Sequence, residues 1–338
     1  MDHNKILTAK LKKKFLNFIQ KDFPLDKRPF LKIAKKFDLE EKDVIKIIKE
    51  LQEKKIIRQI SAIFNPQFFG HKSGLFAFKV PEERLSEIIE IINSHPGVSH
   101  NYLRNHLYNL WFILVVLPEK NLLEEAQALA EKCGIKEYLY LPALRIFKIS
   151  TILNLGDAKS FSNEQGEFVN SQDCNLIFTE FDKKLVKALQ EPLKLEKTPF
   201  KDIAESLKIS EEELFDWIKK MKKKGALRRF GALIKHDKVG YKINVMVAWE
   251  VNKDRLESIA KELIKKPFIT HCYERKTYPN WQYNLYTMCH FKEEREKEII
   301  PALAKKYEIE NYLMLETLKE FKKVRLKLFY DFKNTVKS

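Results

Sequence analysis

Residues 55–64 read Lys-Ile-Ile-Arg-Gln-Ile-Ser-Ala-Ile-Phe, and residues 225–234 read Gly-Ala-Leu-Arg-Arg-Phe-Gly-Ala-Leu-Ile. Each stretch follows an acidic helix start and, before that, a Pro-Phe segment: Arg28-Pro-Phe-Leu-Lys-Ile-Ala-Lys-Lys-Phe in one case, Thr198-Pro-Phe-Lys-Asp-Ile-Ala-Glu-Ser-Leu in the other. Pro29 and Pro199, Ala34 and Ala204, Arg58 and Arg228, and Gly70 and Gly240 all stand 170 positions apart. Farther along, Pro96 and Pro267, His100 and His271, Tyr102 and Tyr273, and Arg104 and Arg275 stand 171 apart. An insertion in the second copy then sets Tyr108-Asn-Leu against Tyr283-Asn-Leu at 175, and Tyr138-Leu meets Tyr312-Leu at 174. Self-similarity sustained over this length means two homologous halves. Between them, Gly, Ser, Asn and Asp cluster and apolar periodicity fails, which marks residues 154–175 as a linker.

Within each half, Val44, Ile47, Ile48 and Leu51, and likewise Leu214, Trp217, Ile218 and Met221, fall at i, i+3, i+4, i+7, the stripe of an amphipathic helix. The pattern predicts helices over 31–37 and 41–53, and over 181–190, 200–207 and 211–224, with a strand after them, which reads as a winged helix-turn-helix. Then come a strand at 75–80, a helix at 83–94, strands at 98–105 and 107–117, a helix at 121–133 and a strand at 136–141. That βαββαβ order is a ferredoxin-like sandwich, and the second copy repeats it from 244 to 316. The predicted fold class is therefore α+β: two tandem copies of a winged helix-turn-helix followed by a ferredoxin-like sandwich, forming an internal pseudo-dimer. The predicted boundaries are 1–62 and 63–153 for the first copy, 154–175 for the linker, and 176–232 and 233–338 for the second.

A length of 338 residues suits two domains or two pairs of small ones. With 44% hydrophobic and 33% charged residues the chain is neither low-complexity nor predominantly disordered. The longest apolar runs, such as 110–117, fall far short of the roughly 18 residues a membrane span needs, and the Lys-rich start lacks the apolar core of a signal peptide. Four cysteines with no CxxC pair make neither a disulfide framework nor a zinc site, so a cytoplasmic protein is expected. Sixty-three Lys+Arg against 47 Asp+Glu leave +16, a field that attracts a polyanion, whether nucleic acid or a small molecule carrying many carboxylates.

The architecture resembles the Lrp/AsnC family of transcription regulators, in which the sandwich dimerises and binds a small effector. Fold and charge by themselves suggest DNA. The turn that would read bases, however, holds Glu40, Glu41 and Asp43 in one copy and Glu211, Glu212 and Glu213 in the other, with Lys42 the one base-reading type among them. Carboxylates beside phosphates repel a duplex. Nucleic acid is thus a disfavoured partner, and the motif reads as scaffold and dimerisation surface.

Chemistry-bearing residues concentrate instead in Val98-Ser-His-Asn-Tyr-Leu-Arg-Asn-His-Leu-Tyr-Asn-Leu-Trp-Phe and Ile269-Thr-His-Cys-Tyr-Glu-Arg. In each, His, Tyr and Arg sit at i, i+2 and i+4, so strand periodicity puts all three on one face. Together they can move a proton, stack on a planar ring and hold a carboxylate. Cross-strand polar pairs on a solvated sheet face have the same composition, and that alternative stays open on residue types alone.

These strings, with Arg228-Arg-Phe-Gly-Ala-Leu-Ile-Lys-His and Tyr283-Asn-Leu-Tyr, resemble the siroheme decarboxylase family, an Lrp/AsnC-like offshoot whose two subunit types are paired and sometimes fused. The resemblance covers nearly the whole chain, the first half being similar to one subunit type and the second to the other. It implies an enzyme, a carboxy-lyase that removes the acetate carboxyls at C12 and C18 of siroheme to give 12,18-didecarboxysiroheme in the alternative haem or haem d1 pathway. It also implies that no added organic cofactor is required, the siroheme iron being part of the substrate.

Residue chemistry fits a flat, eight-carboxylate iron tetrapyrrole. Loss of CO2 leaves a carbanion equivalent that needs a proton from an acid with a pKa near working pH, which suits histidine, and the macrocycle can delocalise the charge. His271 and His100 are the expected site histidines, as proton donor or as ligand to the substrate iron, the protein having no metal of its own. His236 occurs only in the second copy, where Pro66 is its counterpart, and would favour a pocket built around His236 and His271. Arg104 and Arg275 are expected to clamp carboxylates from the histidine face, and Arg58, Arg228 and Arg229 to reach peripheral ones. His106, Tyr102, Tyr273, Tyr108, Tyr283 and Trp281 are expected to line the pocket, whereas His3, His95 and His290 look incidental. Gln282 stands where the family pattern leads one to expect proline, so the hairpin tip should differ. Two rival readings use the same residue types: a haem- or siroheme-sensing DNA-binding regulator, and a tetrapyrrole carrier without turnover.

Overall fold

The computed structural model describes residues 9–149, 178–234, 243–325 and 327–329; the expected linker and His236 lie outside them. In chain order the first copy forms α1 (Ala9–Lys21), α2 (Pro29–Phe37), α3 (Glu41–Glu53), β1 (Ile57–Phe64), β2 (Lys72–Phe78), α4 (Leu85–Ser94), β3 (Val98–Arg104), β4 (Leu110–Val116), α5 (Leu122–Lys132), β5 (Tyr138–Leu141) and β6 (Ala143–Ile149). The second forms α6 (Glu180–Leu189), α7 (Lys201–Ser206), α8 (Glu211–Lys223), β7 (Leu227–Ile234), β8 (Ile243–Trp249), α9 (Lys253–Leu263), β9 (Ile269–Arg275), β10 (Leu285–Phe291), α10 (Ile299–Lys306) and β11 (Tyr312–Lys323). Among the described residues no helix is long and apolar enough to cross a membrane.

These elements sort into two compact units, and each unit draws on both copies. The first unit holds the helix-turn-helix segments, with its boundaries at Phe69 and Gly240. The expected cuts at 62/63 and 232/233 fall inside β1 and β7, because each strand runs on to satisfy its ladder. Helix starts are set by local chemistry. Thr179 and Ser210 form capping boxes with Asp182 and Glu213, satisfying amide groups that a helix start leaves open. At the other end of the recognition helix the chain turns left-handed, at Lys55 (φ 55) in one copy and at Gly225 (φ 77) in the other.

Strands β1 and β7 pair antiparallel with Ser61 opposite Gly231, Ile60 opposite Ala232 and Ala62 opposite Phe230. Ser61 thus faces its own equivalent, while Ile60 and Ala62 each face the equivalent of the other, so a local twofold axis passes through Ser61 and Gly231. Gly231 is required there, because a Cβ would come within 2.6 Å of the Ile19 and Gln20 carbonyl oxygens at the end of α1. Two side chains bind the copies reciprocally. Gln59 Nε2 donates to the Gln190 carbonyl that closes α6 (3.1 Å), and Arg229 Nη1 donates to the Gln20 carbonyl near the end of α1 (2.7 Å). The acidic turns are engaged as well: Arg28 Nε donates to Glu41 (3.1 Å), holding that carboxyl below its ordinary range, and Lys27 pairs with Glu212 of the other copy (2.7 Å).

In the second unit the strand order is β5-β2-β4-β3-β11-β8-β10-β9-β6. Strands β5-β2-β4-β3 and β11-β8-β10-β9 are two ferredoxin-like sheets, as the βαββαβ order demands. The sequence pattern did not reveal the tails. β6 leaves its own copy to pair with β9, and the later part of β11 pairs with β3, so each copy covers the other's open edge. Pro142 separates β5 from β6, while β11 continues unbroken through Glu316, its counterpart. Lys148 on β6 donates to the Ile264 carbonyl closing α9 (2.7 Å), and Lys322 on β11 to the Asn93 carbonyl at the end of α4 (2.6 Å). A cation at a helix C-terminus also opposes the helix dipole favourably.

Each sheet buries one face under its own helices, around Phe76, Phe112 and Ile88 in the first copy and Val247, Leu285 and Ile259 in the second. A third cluster, including Trp111, Met246, Trp281 and Tyr286, mixes both copies. The repeated Tyr-Asn-Leu motif has a structural cause: Asn109 bonds both backbone groups of Val80, and Asn284 those of Val251, in place of a strand neighbour.

Candidate active site

Strand β3 bulges at Ser99 and β9 at Thr270. Val98 pairs with Leu114 on the helix-covered face, yet His100 pairs with Ile113 and Tyr102 with Trp111 on the opposite face. The second copy repeats this, with Ile269 opposite Cys289, His271 opposite Met288 and Tyr273 opposite Tyr286. The extra residue therefore re-aims each histidine away from the helix core.

On that face the three side chains form a ladder, as the spacing predicts. His100 and Tyr102 have ring centroids 6.1 Å apart, and the Arg104 guanidinium lies 5.5 Å from the Tyr102 ring. His271 and Tyr273 are 6.0 Å apart, with Arg275 at 4.9 Å from Tyr273. The bulge residue also supplies a hydroxyl to the imidazole. Ser99 Oγ lies 2.9 Å from His100 Nδ1, and Thr270 Oγ1 lies 2.8 Å from His271 Nδ1. Thr270 Oγ1 also lies 3.3 Å from the Met288 carbonyl; when its hydrogen goes there, its oxygen accepts from Nδ1–H and Nε2 is left for proton transfer. Ser99 and Thr270 went unnoticed in the sequence, although a hydroxyl residue precedes the ladder histidine in both copies.

Several expected ligand contacts are corrected. Arg104 is 3% exposed, and burial lowers its pKa to about 10; its Nη1 donates to the Leu315 carbonyl (2.6 Å) and to Thr317 Oγ1 (3.2 Å). Arg275, its pKa likewise lowered by burial, donates to the Leu141 carbonyl. Both guanidiniums thus hold the junction where a tail strand crosses between copies, rather than reaching out as carboxylate clamps. Arg229 is similarly buried on main-chain carbonyls at the end of α1. Trp281 is core, 3% exposed, packed 5.4 Å from His106 and 5.1 Å from Tyr283 (centroid to centroid), with its Nε1 donating to the Tyr286 hydroxyl.

The remaining candidates divide between the units. Arg58 is exposed and Arg228 half-buried in the winged unit, where Arg228 Nη2 donates to Asn65 Oδ1 (3.4 Å). In the sandwich unit His106 Nδ1 accepts from the Tyr108 amide (3.0 Å), and burial lowers its pKa, which favours the neutral ring. Burial pushes the Tyr283 phenol up. Gln282 Nε2 donates to the Tyr278 and Pro279 carbonyls (3.1 Å each), closing the hairpin tip with bonds that proline could not make.

Sequence comparison agrees with this arrangement. The profile of an AsnC-like ligand binding domain matches residues 67–148 and 238–322, and that of the siroheme decarboxylase NirDL-like HTH domain matches 12–58 and 182–228. Siroheme decarboxylase from Hydrogenobacter thermophilus is 37% identical over 319 residues, 94% of either chain. The siroheme decarboxylase beta subunit of Oleidesulfovibrio alaskensis is 39% identical over 154 residues, which is 45% of this chain but 98% of its own length. The crystal structure of the siroheme decarboxylase NirDL in co-complex with an iron-uroporphyrin III analogue superposes with a TM-score of 0.75 at 34% identity, covering 95% of both chains. With both profiles repeated in step with the two copies and a relative matched end to end, the chain belongs to the siroheme decarboxylase family, in its fused, two-copy form.

Proposed function

We propose that this chain is a carboxy-lyase that removes the acetate carboxyl groups at C12 and C18 of siroheme, giving 12,18-didecarboxysiroheme on the way to haem or haem d1. The observation that carries this reading is the pair of His-Tyr-Arg ladders with a hydroxyl at each imidazole Nδ1, in a chain aligned over 94% of its length with a siroheme decarboxylase. A relative solved with an iron-uroporphyrin III analogue supports an iron tetrapyrrole as the bound molecule.

In the reaction, the bond from the methylene carbon to the carboxyl carbon breaks and CO2 leaves. The electron pair stays on the methylene carbon, delocalised into the macrocycle, and a histidine Nε2–H supplies the proton that makes the methyl group. His271 and His100 are the candidate donors or ligands to the substrate iron, and His236 is a further candidate. Tyr102 and Tyr273 offer flat surfaces to the ring, and a field of +16 attracts its carboxylates. No organic cofactor takes part, since the tetrapyrrole is its own electron sink. We place the reaction in the cytoplasm, where a reducing milieu keeps the buried thiols Cys133, Cys272 and Cys289 free.

The test is anaerobic incubation of the purified chain with siroheme, read by mass spectrometry. Two successive losses of CO2 are expected. Tight binding with no change of mass would replace the enzyme by a sensor or carrier.

A further inference from the structure

We propose that the two ladders have diverged in role, so that decarboxylation takes place at the His271 ladder, whose flanking residues on that face are apolar, and not at the His100 ladder, whose flanking residues include an ion pair. This rests on the functional reading above and says which of two nearly identical constellations carries it out.

The ladders match residue for residue, so the difference lies in what stands beside them. Because each tail crosses to the other copy, the strand next to the His271 ladder is β6 of the first copy, and the strand next to the His100 ladder is the later part of β11. Register places Ile149 opposite His271, Ile146 opposite Tyr273 and Ala143 opposite Arg275. It places Lys323 opposite His100, Glu320 opposite Tyr102 and Thr317 opposite Arg104. Directly opposed residues of an antiparallel pair point to the same face. Both tails carry paired bulges at equivalent places, at Leu144 and Phe147 in β6 and at Leu318 and Phe321 in β11, which keep this alternation in step. On the other side of the ladders, Met288 and Tyr286 stand where the first copy has Ile113 and Trp111, so that side is apolar in both. On this face the His271 ladder therefore stands between apolar residues on both sides. The His100 ladder has on one side an ion pair, Lys323 to Glu320 at 3.3 Å.

That contrast acts on the reaction through the ground state. A carboxylate carries a localised charge that water or a nearby ammonium stabilises; on the way to CO2 the charge spreads into the macrocycle and such stabilisation is lost. An apolar flank withholds it from the reactant, with less effect on the dispersed transition state. Beside His100, by contrast, Lys323 would stabilise the unreacted carboxylate and disfavour the imidazolium, while Glu320 would repel the carboxylate. Thr270 adds to the difference, since its hydroxyl has a second acceptor in the Met288 carbonyl, which leaves its oxygen able to accept from Nδ1–H of His271.

The experiment transfers one flank onto the other in the full-length chain. Ile146→Glu with Ile149→Lys gives the His271 ladder the charged neighbours of the first copy; Glu320→Ile with Lys323→Ile does the reverse. Single-turnover decarboxylation is followed by mass spectrometry, and siroheme affinity by absorbance titration. The first pair should slow turnover about 100-fold, the size of a lost desolvation effect of a few kcal/mol. The second should stay within about threefold of wild type, as for other surface substitutions. Single Ile149→Gln, uncharged and gentler on folding, should cost about tenfold with affinity kept, and single Ile149→Lys should move the alkaline limb of the pH–rate profile, where the proton donor is lost, to lower pH, because an ammonium beside His271 lowers its proton affinity. Wild-type turnover in Ile149→Gln and in the first pair would overturn the inference, as would a collapse of turnover confined to the second pair. No turnover by wild type would instead overturn the functional reading, and the inference with it.

Discussion

Six of the contacts that cross from one copy to the other form three matched pairs, whereas the surroundings of the two ladders do not match. Arg104 on the Leu315 carbonyl answers Arg275 on the Leu141 carbonyl, Lys148 at the end of α9 answers Lys322 at the end of α4, and Gln59 at Gln190 answers Arg229 at Gln20. Beside the ladders, Ile146 and Ile149 answer Glu320 and Lys323. Residues that hold the copies together are constrained from both sides, since each serves a main-chain carbonyl of the other copy. Beside the ladders, Ile146 and Ile149 carry no donor and Glu320 pairs with Lys323 on its own strand, so one copy can change without unsettling the other.

The largest expected effect breaks the symmetry outright. His271→Ala should lower product formation by about 100-fold to 10,000-fold, the range of a lost general acid, with far-UV circular dichroism unchanged; wild-type turnover would remove His271 from the mechanism. The matched contacts predict the opposite pattern. Arg104→Ala and Arg275→Ala should each cost about 2–3 kcal/mol in urea unfolding, because each leaves a buried carbonyl without its charged donor, and a loss seen for only one of them would show that the junctions are not equivalent.

Acid should act unevenly. Burial lowers the pKa of His95 and of His106, both first-copy residues; Lys266 is the counterpart of His95, and His106 has none in the second hairpin. A histidine whose folded pKa is depressed contributes stability above its unfolded pKa, near 6.5, and that stability is lost as pH falls toward the folded value. Hydrogen exchange at pH 5 should therefore show the β3–β4 region opening before β9–β10, and His106→Gln should reduce the difference. The smallest effect concerns the left-handed turns. Lys55→Gly should raise stability by about 1 kcal/mol, and Gly225→Ala should lower it by about as much, since nothing surrounds the added Cβ and only backbone strain is at stake.

Much of this was legible in the chain itself. The offsets of 170 to 175 positions carry the duplication, apolar periodicity carries the helices, and the i, i+2, i+4 spacing carries the ladders, all of them local regularities. What could not be read depends on residues far apart in sequence meeting in space. Arg104 looks like a free clamp until Leu315, 211 positions later, covers it. β6 was not recognised because Pro142 breaks the pattern after Leu141 and the partner of β6 lies in the other copy. The bulges at Ser99 and Thr270 leave no mark in strand periodicity. The contrast between the flanks, however, was within reach: carrying the offset of 174 past Leu141 sets Ile146 against Glu320 and Ile149 against Lys323.

The exchanged tails also set a timetable for synthesis. Arg104 on β3 leaves the ribosome 213 residues ahead of Thr317, the strand residue that will cover it. At bacterial or eukaryotic elongation rates that is a wait on the order of ten to forty seconds, during which a nascent strand edge stands unpaired. Here the wait ends at a fixed moment, when the ribosome finishes β11, so a nonsense codon or a stall just before residue 317 would release a chain with its second unit nearly complete and one edge ready to recruit any passing strand.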